Sequence, residues 1–295
     1  SIIIENYIKQ SEKIYDKLKE SKNTDNAEQN LSEEGFKEEI KKIIERENAS
    51  GSERQNSNKM TAWDYWRQGN KEVELKQYKK AVKSYSKAID SQSNVVTFYH
   101  SRGYTYNELG EYEKAILDYN KALEMNPDYA QYFNNRGVAY DELGEYEKAI
   151  LDYNKALELE PDDAVFYYNR GSAYNELGEY EKAITDYNKA IEIASDYAEA
   201  YNNRGNTYRT MADYEKAISD FDKAILLNPN LANPYKHCGT IWKNKKDYKK
   251  ALSFYDKAIE LNPKYKKAYI ERAEVYRLLG NIEKATADEE MAATL

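Results

Sequence analysis

A repeat of 34 residues, copied almost word for word, is the feature that most constrains this chain. The strings NELGEYEKAILDYNKALEMNP, DELGEYEKAILDYNKALELEP and NELGEYEKAITDYNKAIEIAS follow one another at that period between residues 96 and 197. A unit of this length cannot bury its own apolar face, so consecutive copies have to stack and share a core. The periodicity therefore predicts a solenoid, in which chain length sets the number of repeats.

The spacing of apolar residues within each unit predicts two amphipathic helices. Aromatic and small residues recur at intervals of three, four and seven, as Phe133, Gly137 and Tyr140 show in the third unit. These intervals place residues on one face of a helix. A Leu-Gly pair such as Leu143-Gly144 supplies the turn, because glycine accepts the left-handed conformation at a helix C-terminus. The predicted fold class is all-α.

This order of aromatic, small and proline residues resembles the tetratricopeptide repeat (TPR), and the resemblance covers residues 62–295. It implies a right-handed α-solenoid of seven helix-turn-helix units. The predicted units are 62–95, 96–129, 130–163, 164–197, 198–231, 232–265 and 266–295. The chain departs from the family in carrying Tyr or Phe in place of a Trp, and mostly Arg where the family has a Leu.

The first part of the chain contains no copy of the repeat. Two apolar stripes in residues 1–48 predict a short helical appendage, and polar residues 49–61 predict a flexible linker. Two roles stay open for the appendage. It covers the open edge of the first repeat, or it docks elsewhere, in the groove of its own or a neighbouring molecule or on a further domain.

Composition excludes several classes of function. A formal net charge of -8 repels a phosphate backbone, so nucleic acid is not an expected partner. No apolar run approaches the roughly 20 residues of a membrane span, and the single cysteine, Cys238, fits a reducing compartment, which predicts a cytoplasmic protein without membrane contact. The two histidines, His100 and His237, lack ligand partners at metal-binding spacing. We therefore expect no catalytic residues, no metal and no cofactor.

Arginine and aspartate vary together along the repeats. In five units an Arg is followed sixteen residues later by an Asp, and the two units that lack the Arg also lack the Asp. The predicted structural pairs are Arg102 with Asp118, Arg136 with Asp152, Arg170 with Asp186, Arg204 with Asp220, and Arg272 with Asp288. Gln68 and Ser84 replace the pair in the first unit, and Cys238 and Phe254 replace it in the sixth. This joint variation predicts a charge-assisted contact between the two helices of one repeat.

Asparagines concentrate on the helix that, by the family resemblance, lines the concave groove. Asn is a poor helix former, and its amide matches both the C=O and the N–H of a peptide backbone. Asn135, Asn169 and Asn203 recur at one phase and predict a ladder, similar to the asparagine ladder of O-GlcNAc transferase. The predicted peptide-binding residues are Asn70, Asn107, Asn134, Asn135, Tyr168, Asn169, Asn175, Asn202, Asn203, Asn206, Arg209 and His237. The alternative is that copied repeats carry a tolerated polar residue on a solvated face.

Charge is unevenly distributed along the same groove. Acidic residues lie toward its middle, and Arg209, Lys236, Lys243 and Lys267 lie toward its C-terminal end. The carboxylate clamp of co-chaperones that bind Hsp90 and Hsp70 tails is excluded, because the positions matching it hold no cation. Those positions are Trp66, Asn70, Ser101, Gln131 and Asn135.

The sequence thus predicts a non-catalytic module for protein-protein interaction that binds a peptide or extended protein segment in the concave groove. Two alternatives stay open: a receptor for a signalling peptide, and a structural scaffold that self-associates through residues 1–48. A third, the tethering part of an enzyme, is not excluded by any residue of the chain.

Overall fold

The computed structural model describes residues 60–295 as fourteen helices, with no strand among these residues, which confirms the all-α fold class. In chain order the helices are α1 (Ala62–Glu74), α2 (Tyr78–Ser91), α3 (Val96–Glu108), α4 (Tyr112–Met125), α5 (Ala130–Glu142), α6 (Tyr146–Leu159), α7 (Ala164–Glu176), α8 (Tyr180–Ile193), α9 (Ala198–Thr210), α10 (Tyr214–Leu227), α11 (Ala232–Asn244), α12 (Tyr248–Leu261), α13 (Lys266–Leu278) and α14 (Ile282–Thr294). The predicted appendage and almost all of the predicted linker lie outside the described residues.

The helices stack as consecutive pairs. Each odd-numbered helix packs on the helix that follows it, and each even-numbered helix packs on the next odd one. Successive odd-numbered helices also approach one another, whereas between residues 60 and 295 no even-numbered helix contacts another even-numbered one. The odd-numbered helices therefore form the shorter, concave side of the solenoid, and we call them the inner helices. No helix in this part of the chain is both long and apolar enough to span a membrane.

A left-handed residue makes the turn inside each helix pair. Gly144 has φ 75°, and the next amide, of Glu145, donates to the carbonyl of Tyr140 at 2.9 Å, which closes a helix C-cap. Glycine serves this position in four units. In the other three, Lys76, Ala212 and Lys246 take φ values of 55°, 62° and 62°. These three turns therefore carry side chains in a region that disfavours them.

An aromatic ring packed on an inner-helix glycine forms the core of each of the first six units. In the third unit Tyr153 is fully buried, and a Cβ added to Gly137 would lie 2.7 Å from its Cε1 atom. The rings at this phase are Tyr85, Tyr119, Tyr153, Tyr187, Phe221 and Tyr255. Only glycine lets the two helices approach this closely, so these tyrosines are packing residues rather than an exposed stacking surface.

Arginine ties three helices together in five of the units. Arg136 donates Nε to Oδ2 of Asp152 at 2.7 Å, Nη2 to Oδ1 at 2.6 Å, and Nη1 to Oδ1 of Asn120 at 2.6 Å. Asp152 lies on the partner helix α6, and Asn120 lies on α4 of the preceding repeat. The same arrangement recurs at Arg102 with Asp118 and Ser86, Arg170 with Asp186 and Asn154, Arg204 with Asp220 and Asn188, and Arg272 with Asp288 and Asp256. Each arginine thus joins its own repeat to the one before it.

Burial governs the electrostatics of these pairs. In the third unit the Arg136 side chain is 20% exposed and that of Asp152 is 8% exposed. Burial raises the pKa of Asp152, and the hydrogen bond from Arg136 lowers it by less. The hydrogen bond to Asp152 in turn raises the pKa of the Arg136 guanidinium. Because desolvation offsets much of the attraction, the pair contributes little net stability when intact but is costly to break.

Candidate functional site

Hydrogen bonds join successive inner helices along the concave face. Nδ2 of Asn169 donates to Oδ1 of Asn134 at 2.9 Å, and Nδ2 of Asn203 donates to Oη of Tyr168 at 2.9 Å. In every case the partner lies 35 residues earlier, one position before the ladder residue of the preceding repeat. The remaining contacts at this spacing are Asn135 Nδ2 with His100 Nε2 at 3.0 Å and Trp66 Nε1 donating to Ser101 Oγ at 2.9 Å. We call these four contacts the seam.

The seam corrects the placement of two predicted groove residues. Asn134 and Asn202 were expected on outward positions free of packing, but they are only 3% and 5% exposed. Asn134 points toward the next inner helix and accepts from Asn169, while Asn202 donates to Oδ1 of Asn203 at 3.0 Å. The prediction was wrong because inner helices of adjacent repeats approach closely, so the position before each ladder residue lies between two helices.

The three ladder asparagines are half-buried and keep part of their hydrogen-bonding capacity. An amide has two N–H donors and two acceptor lone pairs. Asn169 uses one N–H for Asn134, and no donor contacts its Oδ1 within residues 60–295. Asn135 is more engaged, because its Oδ1 accepts from Gln131 at 2.7 Å and from Asn134 at 3.3 Å. The ladder residues therefore hold the repeats together first, and Asn169 has the most capacity left for a ligand.

The other predicted asparagines all lie on inner helices and contact nearby side chains. Oδ1 of Asn70 accepts from Tyr85 Oη, that of Asn175 from Thr207 Oγ1, and that of Asn206 from Arg209. Nδ2 of Asn107 donates to Tyr119 Oη and to the carbonyl of Asn135, both at 3.3 Å. Its Oδ1 is buried without a partner, as is Oη of Tyr153 in the next repeat. These side chains support the floor of the groove.

Opposite charges collect at two places along the concave face. Burial, and then the charges of Glu142 and Glu176, raise the pKa of Asp141 to about 6. Toward the C-terminus, burial lowers the pKa of Lys236 to about 8, and the neighbouring cations oppose the effect of Glu271. The groove therefore offers an acidic middle and a basic end.

His237 and Lys236 lie deeper than their sequence positions suggest. The ring of His237 stacks on Phe221 at 5.3 Å between centroids, and burial holds its pKa well below 6.5. Lys236 is only 8% exposed. Lys236 occupies the same repeat position as Asn134 and Asn202, immediately before the ladder position. That shared position is the sequence signal that would have placed Lys236 between helices. Within residues 60–295 no group of three side chains is arranged to hold a metal ion.

Comparison with known proteins identifies the repeats. Family models described as "TPR repeat" and "Tetratricopeptide repeat" match overlapping stretches that run from residue 103 to residue 287. The matches are 103–144 and 171–211 for the first description, and 130–163, 152–185, 198–231, 232–265 and 254–287 for the second. The comparison with curated protein sequences gives no match.

Several solved structures are similar. A tetratricopeptide repeat protein from Parabacteroides merdae ATCC 43184 is 21% identical with a TM-score of 0.68, and the alignment covers 79% of this chain and 92% of that one. The APC/C hetero-tetramer Cut9-Hcn1 gives 17% identity and a TM-score of 0.66, with 76% and 44% covered. Pseudomonas aeruginosa pilF gives 22% and 0.58, with 65% and 88% covered. At these identities the likeness shows the fold alone.

Proposed function

Since this chain belongs to the tetratricopeptide repeat family, whose repeats indicate a module for protein-protein interaction, we propose that it binds an extended protein segment along its concave face. The observation that supports this is the unbroken succession of inner helices, whose amides are not fully used within the protein. The proposal assigns no catalytic step to the chain. It places the protein in the cytoplasm, in keeping with its one free, buried cysteine.

Asn169 is the residue on which the proposal depends most directly. Its free N–H and its carbonyl oxygen match the C=O and N–H of a peptide backbone, whatever the side chains of that peptide. Asn135 and Asn203 extend the same row with fewer free groups. Side chains that flank the row, such as Tyr168 and Arg209, then supply preference for particular residues in the ligand.

The test needs peptides that bind the folded protein, which selection from a random phage-displayed library provides. The affinity of the best peptide is then measured by calorimetry for the wild type and for Asn169→Ala. We expect a loss of about fivefold, because one or two hydrogen bonds of roughly 1 kcal/mol or less are removed. Asn230→Ala, in the exposed turn between α10 and α11, serves as a matched control without effect.

A second control separates ligand contact from stability. Asn134→Ala removes the same seam hydrogen bond as Asn169→Ala, but Asn134 is buried and cannot reach a ligand. Both variants should lower the unfolding midpoint by a similar amount, and only Asn169→Ala should weaken peptide binding. Equal weakening by both variants, full affinity of Asn169→Ala, or a library that yields no binder would each contradict the proposal.

A further inference from the structure

The seam stops after the fifth repeat. Continued at its 35-residue spacing, it would join Asn202 to His237 and Lys236 to Glu271, but within residues 60–295 neither contact forms. Oδ1 of Asn202 is left buried without a donor. The polar contact of Lys236 Nζ is instead Nδ1 of the neighbouring His237, at 3.2 Å. Two buried polar groups, one acceptor and one cation, are therefore left open on adjacent inner helices.

Lys236 lacks a carboxylate because Glu271 is engaged elsewhere. Oε2 of Glu271 accepts from Thr240 Oγ1 at 2.5 Å and from Tyr255 Oη at 2.8 Å, and it lies 3.8 Å from Nζ of Lys243. No acidic oxygen of the described residues lies within ion-pair distance, 4.0 Å, of Lys236. His237 supplies no counter-charge, because an imidazole ring is either neutral or positively charged. A buried ammonium without an anionic partner costs free energy. A carboxylate from a ligand would remove that cost, so this position favours the binding of one.

Further cations surround Lys236 on the same face. Arg209 on α9 contacts only the amide of Asn206 and no acid within residues 60–295, and Lys267 on α13 is exposed. Both act on Lys236 as like charges and add to the positive potential around it. Three successive inner helices thus present positive charge to the groove of a protein whose net charge is -8. An acidic ligand is therefore attracted to this part of the groove and repelled by the net negative charge of the rest of the protein.

We propose that α9, α11 and α13 bind an acidic segment of the protein ligand, with a ligand carboxylate on the ammonium group of Lys236. This site rests on the proposed function and specifies the ligand of its C-terminal half.

Fluorescence polarisation with labelled hexaglutamate, hexalysine and a glycine-serine hexapeptide tests the site at low salt. The net negative charge of the chain makes non-specific attraction favour hexalysine. We expect hexaglutamate to bind measurably more tightly than the glycine-serine peptide, and Lys236→Met to weaken it at least tenfold. Lys223→Met, which removes an exposed lysine from the even-numbered helix α10, should stay within twofold of the wild type.

Lys236→Met should fold, because methionine fills the buried volume without a charge. If it does not fold, the double variant Arg209→Gln/Lys267→Gln removes the surrounding cations at less buried positions and should weaken hexaglutamate at least fivefold. The proposed site is contradicted if hexaglutamate binds no more tightly than the glycine-serine peptide. It is also contradicted if the folded variants bind hexaglutamate as tightly as the wild type does. If library-selected peptides still bind through Asn169 in that case, the proposed function stands and only the acidic ligand fails.

Discussion

Removal of the Asp152 carboxylate should destabilise the array by about 2 to 4 kcal/mol. In Asp152→Ala, Arg136 loses two of its three hydrogen bonds and keeps Asn120 and the face of the Phe133 ring, 5.7 Å away. Breaking a fully buried ion pair typically costs about 3 to 5 kcal/mol. We lower this estimate because the Arg136 side chain is 20% exposed and can recover some hydration.

The measurement is urea unfolding followed by circular dichroism, with both the midpoint and the slope compared, because repeat arrays need not unfold in a single step. Leu151→Ala is the matched control: it removes a side chain from the neighbouring position of α6, but Leu151 is 68% exposed. That control should change the free energy of unfolding by no more than about 0.5 kcal/mol.

A double variant tests whether the unpaired arginine is the cause. Adding Arg136→Leu to Asp152→Ala removes the stranded cation and should recover at least half of the lost stability. The sixth unit shows that an apolar arrangement fits this place, since Cys238 there is buried in a cluster with Phe221 and Ile241, against which Phe254 packs. A wild-type midpoint for Asp152→Ala, or a double variant no more stable than the single one, would refute the reasoning.

Two further predictions concern the turn and the acidic middle of the groove. Ala212→Gly should raise the free energy of unfolding by about 1 kcal/mol by relieving a φ of 62°, and Gly144→Ala should lower it by a similar amount; thermal shifts of equal sign would contradict this. Asp141→Asn should stabilise the protein by roughly 1 to 2 kcal/mol at pH 7.5, a value reduced for solvent screening. The folded-state pKa of Asp141, about 6, exceeds its ordinary 3.8, so its contribution is present below 3.8 and lost as the pH rises through 6. The gain in urea midpoint should therefore vanish at pH 3.5, and a gain that persists there would point to another cause.

The Arg-Asp contacts could be predicted from sequence because the two residues are present together or absent together in every repeat. Arg136 and Asp152 recur at fixed phase in five units, and both residues change in the two units where one is missing. A contact within one repeat depends only on how two adjoining helices pack, and that geometry is copied with the sequence. The third hydrogen bond, from Arg136 to Asn120, reaches the preceding repeat and was not predicted.

Contacts between repeats were harder to predict for a physical reason. The 34-residue period marks equivalent positions, but which side chain meets its neighbour depends on the displacement of one inner helix against the next. That displacement pairs each ladder residue with the position 35 residues earlier, so Asn134 and Asn202 lie between helices rather than in the open groove. A list of surface residues drawn from one helical face cannot distinguish these positions.

The seam also means that binding and stability draw on the same side chains. A stacked array requires each inner helix to hold the next, whereas a ligand requires polar groups that the protein has not already used. From the first to the fifth repeat one hydrogen bond at the 35-residue spacing joins each inner helix to the next, and Asn169 keeps its second N–H and its Oδ1 unused. From the fifth to the seventh repeat no hydrogen bond forms at the 35-residue spacing, and Lys236 is left without an anionic partner among the described residues. The loss of binding in a groove variant is therefore interpretable only beside a variant, such as Asn134→Ala, that breaks the same bond from its buried side.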